Sequence, residues 1–198
     1  MQITNEDNML LMARYEDNYF DLAIVDPPYR DSNQPTKDMR ANGSMKSLEG
    51  RPIKKYWNEL YRVSKNQIIW GANNFQLPQW KGFVAWKKKT IGIDFTMSML
   101  EIASLSENLG TTSKWIEIQP QNTNRIHPTE KPVKLYEWLL MRYAKEGDKI
   151  LDTHLGSGSI ALACHNLGYN LIACELDKGY FDAAMKRLKN HKAQLKMF

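Results

Sequence analysis

Asp26-Pro27-Pro28-Tyr29 packs a carboxylate, two residues of fixed φ and an aromatic ring into four positions. The prolines stiffen the backbone and remove two N–H donors, so the neighbouring carbonyl oxygens stand without competing donors. Asp26 can accept hydrogen bonds from a ligand, and Tyr29 can stack on a flat one. Taken alone, the tetrapeptide also describes a strand that stops at a Pro-Pro turn with a solvated acid. A second unit, Asp152-Thr153-His154-Leu155-Gly156-Ser157-Gly158, has the make-up of a ligand loop, with glycines that let a ligand approach the backbone ahead of a helix N-terminus. A third, His127-Pro128-Thr129-Glu130-Lys131-Pro132, carries polar groups but reads by itself as a turn between helices.

The acids decide what the glycine loop suits. Asp152 would repel a pyrophosphate and favour an ammonium group, and the third glycine of the dinucleotide fingerprint is missing. Glu175 ends the next apolar run about 20 residues on, where an acid binds ribose hydroxyls. A nucleoside carrying a cationic amino acid fits better than NAD, and S-adenosylmethionine is such a molecule.

Each unit needs a strand to present it. Residues 20–25 form an apolar run closed by the prolines, which reads as a buried strand, and 149–152 reads as the strand before the glycine loop. Further strands are expected at 67–70, 82–86, 99–105, 114–118 and 170–175. Helices are expected at 52–63, from Pro132 to Tyr143, at 159–167 and at 178–190, with a short one at 9–13 capped by Asn5 or Asp7. Residues 1–4 read as a short start, 30–50 as a long polar surface loop, and 186–196 as an exposed basic tail. Lys87-Lys88-Lys89 reads as a solvated strand end or a phosphate contact. Strands alternating with helices imply an open, mostly parallel sheet with helices on both faces.

The 198 residues fit one α/β domain, and 42% hydrophobic content suffices for its core. A net charge of +5 favours polyanionic partners mildly. Both cysteines, Cys164 and Cys174, sit in apolar runs and read as core residues of a reducing compartment. His154, His165 and His191 show no ligand spacing, so no metal site is expected. The sequence shows neither a signal peptide nor a membrane span, which implies a cytoplasmic protein with no membrane partner.

Together and in this order, the three units resemble the amino-methylating DNA methyltransferases, specifically their permuted β-group. The likeness extends to Ile68-Ile69-Trp70-Gly71 through Phe75, to the strand from Phe83 with its Trp-Lys ending, and to Asp94-Phe95 before a strand carrying Glu101. It implies a single methyltransferase domain over residues 1–198, with a seven-stranded, circularly permuted Rossmann-like sheet. It also implies methyl transfer from S-adenosylmethionine to the exocyclic N6 of adenine in double-stranded DNA. Cytosine-N4 methylation and a catalytically silent DNA-binding subunit of a modification complex are the alternatives. Asp rather than Ser at position 26 leans towards adenine.

On this resemblance Asp26, Pro27, Pro28 and Tyr29 are catalytic. Asp26 and the Pro27 carbonyl take the two amine hydrogens, and Tyr29 stacks on a base flipped from the duplex. The cofactor falls to Asp7, Asp26, Asp152, Thr153, His154, Gly156, Ser157, Gly158 and Glu175. His127, Thr129 and Lys131 are expected at its methionine end, with Lys131 facing the carboxylate. A sulfonium electrophile needs no metal. Thr153 and His154 replace the family's Pro and aromatic, which bears on cofactor affinity, and Glu6-Asp7 stands where Gly-Asp is usual. The short spacing between motifs leaves little room for a recognition region and implies a homodimer. Lys37, Arg40, Lys46, Arg51, Lys54 and Lys55, in and beside loop 30–50, are the candidate DNA clamp. The family's setting is a bacterial or phage restriction-modification system.

Overall fold

The computed structural model describes residues 1–29, 32–33, 48–89, 91–92, 98–120 and 125–194. Most of loop 30–50, with Lys37, Arg40 and Lys46, lies outside the described residues, as do Asp94 and Phe95. The main sheet uses β1 (Gln2–Asn5), β2 (Leu22–Val25), β5 (Gln67–Trp70), β6 (Phe83–Lys88), β7 (Leu100–Leu105), β8 (Lys114–Ile118), β9 (Lys149–Asp152) and β10 (Asn170–Glu175). A separate antiparallel pair joins β3 (Ser32–Asn33) to β4 (Leu48–Glu49). The helices are α1 (Asn8–Met12), α2 (Lys54–Val63), α3 (Val133–Tyr143), α4 (Ser159–Leu167) and α5 (Lys178–Ala193).

The strand order is β1-β10-β9-β2-β5-β7-β6-β8. Only β7 runs against its neighbours, so the sheet is mostly parallel as expected. It has eight strands rather than seven. The eighth is β1, the segment expected to be a short start: Gln2-Ile3-Thr4-Asn5 has too little apolar pattern to read as a strand, and its order comes from pairing with Ile172 to Glu175.

β2 and β5 are buried along their whole lengths, which is why they read as continuous apolar runs. Their alternate side chains serve two cores. Leu22, Ile24, Ile68 and Trp70 pack with α3 and α4 on one face, while Ala23, Val25 and Ile69 pack with α1 and α2 on the other. The chain leaves β2 for β5 on one side and β9 for β10 on the other, so the carboxyl ends of β2 and β9 flank a topological switch point, where α/β sheets bind ligands.

Two surface expectations are corrected. Lys87 and Lys88 belong to β6 instead of following it, and the pleat turns Lys88 towards Glu101 while Lys87 meets Glu117. The 186–194 segment is not simply an exposed tail. Leu188 is buried, and Arg187 folds back to ion-pair with the buried Glu130 at 3.1 Å and to donate to the Ser157 carbonyl oxygen at 3.0 Å. Among the described residues no helix is long and apolar enough to cross a membrane.

Candidate active site

A cleft of about 650 Å³ opens at the carboxyl ends of β1, β10, β9 and β2. Asp26 to Tyr29 form one part of its wall, and Thr153, His154, Gly156 and Glu175 form another. Asp7, His127 and Thr129 also reach the cleft, so most of the residues singled out in the sequence converge here. Four do not line it. Lys131 and Asp152 are almost fully buried beneath it, and Ser157 and Gly158 lie in the turn behind, where the Ser157 hydroxyl pairs with Ser159 at 3.0 Å. A Cβ at Gly158, whose φ is 73°, would meet Ala184 at 3.1 Å, so that glycine lets α5 approach the loop.

At the end of β2 the Tyr29 hydroxyl donates to Asp26 Oδ1 at 2.7 Å. The ring lies over Gly71 at the end of β5 and meets Phe75 edge-on at 6.0 Å. Lys131 stands under this turn. Its Nζ donates to Asp26 Oδ2 at 2.5 Å and pairs with Glu101 Oε2 at 3.0 Å, and the other Glu101 oxygen meets Lys88 at 2.6 Å. The expectation that Lys131 faces a cofactor carboxylate is therefore not matched by its place here: two protein carboxylates already hold it.

The charges in this row are unequal. Burial pushes the Asp26 carboxyl above its usual range, against the pull of Lys131 and with the repulsion of Glu101. Burial would raise Glu101 too, but the Lys131 and Lys88 ammonium groups outweigh it and hold Glu101 at about 2. Lys131 is raised despite its burial, because both acids favour its charged form. Of the two acids, Asp26 is the readier proton acceptor.

Across the switch point, Asp152 accepts the His154 N–H at 2.9 Å. Among the described residues no cation lies within ion-pair distance of it, and burial lifts its carboxyl to about 8. Glu175 accepts N–H bonds from Gly156 and Asp177, each at 2.9 Å, which fixes its carboxylate at the cleft rim. Asp7 caps α1 by accepting from Met9 N–H at 2.8 Å. His127 packs on Tyr180 and beside Gly156, and burial holds its imidazole down at about 4, hence neutral.

Thr153 and His154 form a polar strut. The Tyr56 hydroxyl lies 2.7 Å from Thr153 Oγ1, which lies 2.9 Å from His154 Nδ1, and His154 Nε2 lies 3.2 Å from Asn8 Nδ2. Burial lowers the His154 imidazole to about 3. With the Asn8 amide as donor, the imidazole's own proton sits on Nδ1 and points at Thr153. Nothing in the sequence marks Tyr56 for the site, and Lys88 stands out there only as one of three lysines read as a solvated strand end or a phosphate contact. Glu101 is marked in the sequence by one signal, an acid inside an apolar strand.

Comparison with known proteins identifies the family and the fold. A family model described as DNA methylase matches residues 2–186. The type II methyltransferase M.HpaI of Haemophilus parainfluenzae is 40% identical over 68 residues, 34% of this chain and 22% of that protein. The type II methyltransferase M2.DpnII of Streptococcus pneumoniae is 41% identical over 63 residues, 32% of this chain and 24% of that protein. The matched segments thus span about a quarter of these relatives. A crystal structure of an M1.HpyAVI–SAM complex superposes with a TM-score of 0.66 at 20% identity, covering 94% of this chain and 98% of that one, which is a likeness of fold.

Proposed function

This chain belongs to the N6/N4 DNA methylase family, and on that premise we propose that it methylates the exocyclic N6 of adenine in double-stranded DNA, using S-adenosylmethionine. The observation that carries the proposal is the pair of loops at one switch point. Asp26, stiffened by two prolines and bonded to Tyr29, shares the cleft with a glycine loop backed by the buried Asp152 and by Glu175.

The residues fit the cofactor. Asp152, buried beneath the cleft, has no cation within ion-pair distance among the described residues, so it suits an ammonium group, and Glu175 at the rim suits ribose hydroxyls. Gly156, His127 and Thr129 complete the cradle. When bound, the cofactor supplies an electrophilic methyl group on a sulfonium.

The chain's own residues then act on the amine. The adenine amine is a weak nucleophile because its lone pair is delocalised into the ring. Hydrogen bonds from its two hydrogens to Asp26 and the Pro27 carbonyl would hold the nitrogen in line and favour a tetrahedral geometry. Asp26 opposes the positive charge that develops there and takes the proton the amine loses. Tyr29 offers its ring to the flipped base, and base–aromatic stacking of about 1–3 kcal/mol offsets much of the cost of unstacking. Arg51 and Lys55 reach the cleft and supply cations for DNA phosphates. A second copy of the chain would help hold the duplex, which sedimentation during methylation assays tests.

The deciding experiment incubates the protein with labelled S-adenosylmethionine and duplex DNA and maps the modified base. N6-methyladenine, lost in Asp26→Ala with cofactor binding kept, is the expected result. N4-methylcytosine would move the target to the other exocyclic amine. Absence of transfer to any DNA, with DNA binding kept, would leave a silent subunit.

A further inference from the structure

We propose that Lys131 is a positioning residue for Asp26 and not a cofactor ligand, and that Glu101, with Lys88 behind it, sets through Lys131 how readily Asp26 takes a proton. The inference rests on the reading of Asp26 as the acceptor of the amine. Its basis is an alternating row of charges, Asp26–Lys131–Glu101–Lys88, with contacts of 2.5, 3.0 and 2.6 Å. Lys131 sits at the centre with 3% of its surface exposed, between the rings of Trp70 and Tyr29 at 5.2 and 5.9 Å. A buried ammonium with two carboxylate partners has no reason to leave them for a third, because each broken pair would strand a charge in the core.

The row also explains the orientation of Asp26. Lys131 takes Oδ2 and Tyr29 takes Oδ1, so the carboxylate plane is fixed from two sides before any base arrives. Among the described residues, five titratable groups surround it: Tyr29 on its own turn, Lys131 from the segment before α3, Tyr136 from α3, Glu101 from β7 and Asp152 from β9. Lys131 is the only cation in that set. Removing it leaves Asp26 among acids and phenols, which favours the protonated form. Removing the Glu101 charge does the reverse, since Lys131 then serves Asp26 alone.

The two opposite signs make the test. Protein carrying ¹³Cγ-labelled aspartate is titrated by NMR, with the Asp26 signal identified by its loss in Asp26→Asn, so that the readout needs no turnover. Lys131→Met should move the Asp26 midpoint up by about one unit or more, and Glu101→Gln should move it down by about half a unit. Lys131→Arg, which keeps the charge, should stay near the unaltered protein. The acid limb of the kcat–pH profile for methyl transfer should move in the same directions, while cofactor affinity changes less than about threefold. Midpoints unmoved in both variants overturn the inference. So does an unmoved midpoint with about tenfold weaker cofactor binding in Lys131→Met, which returns Lys131 to the cofactor. If Lys131→Met does not fold, the Glu101→Gln titration decides alone: a downward shift supports the row and none overturns it. Shifts of the expected signs in a protein that transfers no methyl group would sink the proposed function and leave the charge row standing.

Discussion

The ring of Tyr29 occupies the space where residue 71 would carry a side chain: a Cβ on Gly71 would stand 2.2 Å from it. Gly71 also has φ +66°, a conformation that other residues adopt at a cost. Gly71→Ala should therefore displace Tyr29 from Asp26 as well as strain the turn. We expect about 1–2 kcal/mol lower stability and at least about tenfold lower kcat/KM, with cofactor affinity little changed. Denaturant unfolding beside steady-state kinetics checks both halves, and a variant with unaltered kinetics would show that the ring has no positioning role.

Cofactor binding should peak near pH 8. With its carboxyl at about 8 in the free protein, Asp152 is protonated at neutral pH, and in the role proposed for it must lose that proton to meet an ammonium group. Affinity then rises with pH below about 8, by up to about tenfold per unit, and falls again once the cofactor's amino group, with an ordinary pKa of about 7.7–8, loses its charge. Calorimetry in buffers of different ionisation enthalpy should find proton release below the peak. Asp152→Asn should remove the acidic limb. The same group has a folded-state pKa above its ordinary one, so the free protein binds the extra proton when folded. Its contribution to stability is present at low pH and is lost as pH rises towards 8.

Arg187 is the partner of a buried acid, so its loss should cost more than a surface ion pair would. Burial raises the Glu130 carboxyl, and Arg187 and the Ile126 N–H oppose that rise. Arg187→Ala would leave Glu130 short of a cation and free the turn behind the glycine loop, costing about 2–3 kcal/mol. For a chain of this size that is about 5–10 °C in Tm. Arg187→Lys should recover only part of it, because one ammonium cannot serve Glu130, the Ser157 carbonyl and the Ser159 hydroxyl together. Melting curves of the two variants provide the check.

Thr153 carries the strut from α2 to α1. Thr153→Val keeps the shape but leaves the Tyr56 hydroxyl and His154 Nδ1 without their shared partner, at a cost of about 1–3 kcal/mol. Because the His154 imidazole is held at about 3, the strut is neutral at every pH where the protein is assayed, and the penalty should not vary between about pH 5 and 9. A penalty that vanishes in acid would mean that His154 is charged in the folded protein.

What could be read in advance follows from what each residue type fixes by itself. Pro27 and Pro28 dictate their own backbone, Gly156 and Gly158 permit theirs, and both pairs follow apolar runs, so the two loops that help to line the cleft were visible as sequence. Lys131 was legible as a functional residue but not in its role. Spacing along the chain places it near the site and says nothing about which carboxylate it meets, since Glu101 arrives from an antiparallel strand about 30 residues away. Lys88 was hidden for another reason. In a run of three lysines the pleat turns one inward, and no local signal marks which. β1 was lost because its order comes almost entirely from its partner strand.

That partner strand has a further consequence, for assembly. Gln2 to Asn5 pair with Ile172 to Glu175, so the wall that holds Glu175 is completed by some of the first and some of the last described residues. Closing a loop of that length costs about (3/2)RT ln n in entropy, and no nearby contact repays it in advance. The half of the sheet with Asp26, built from β2, β5, β6, β7 and β8, can collapse from residues close in sequence. The other half must wait for β9 and β10. During synthesis the strands that carry Asp26 therefore emerge before β9 and β10, and only the arrival of those two strands and α4 closes the sheet and its core around the cleft.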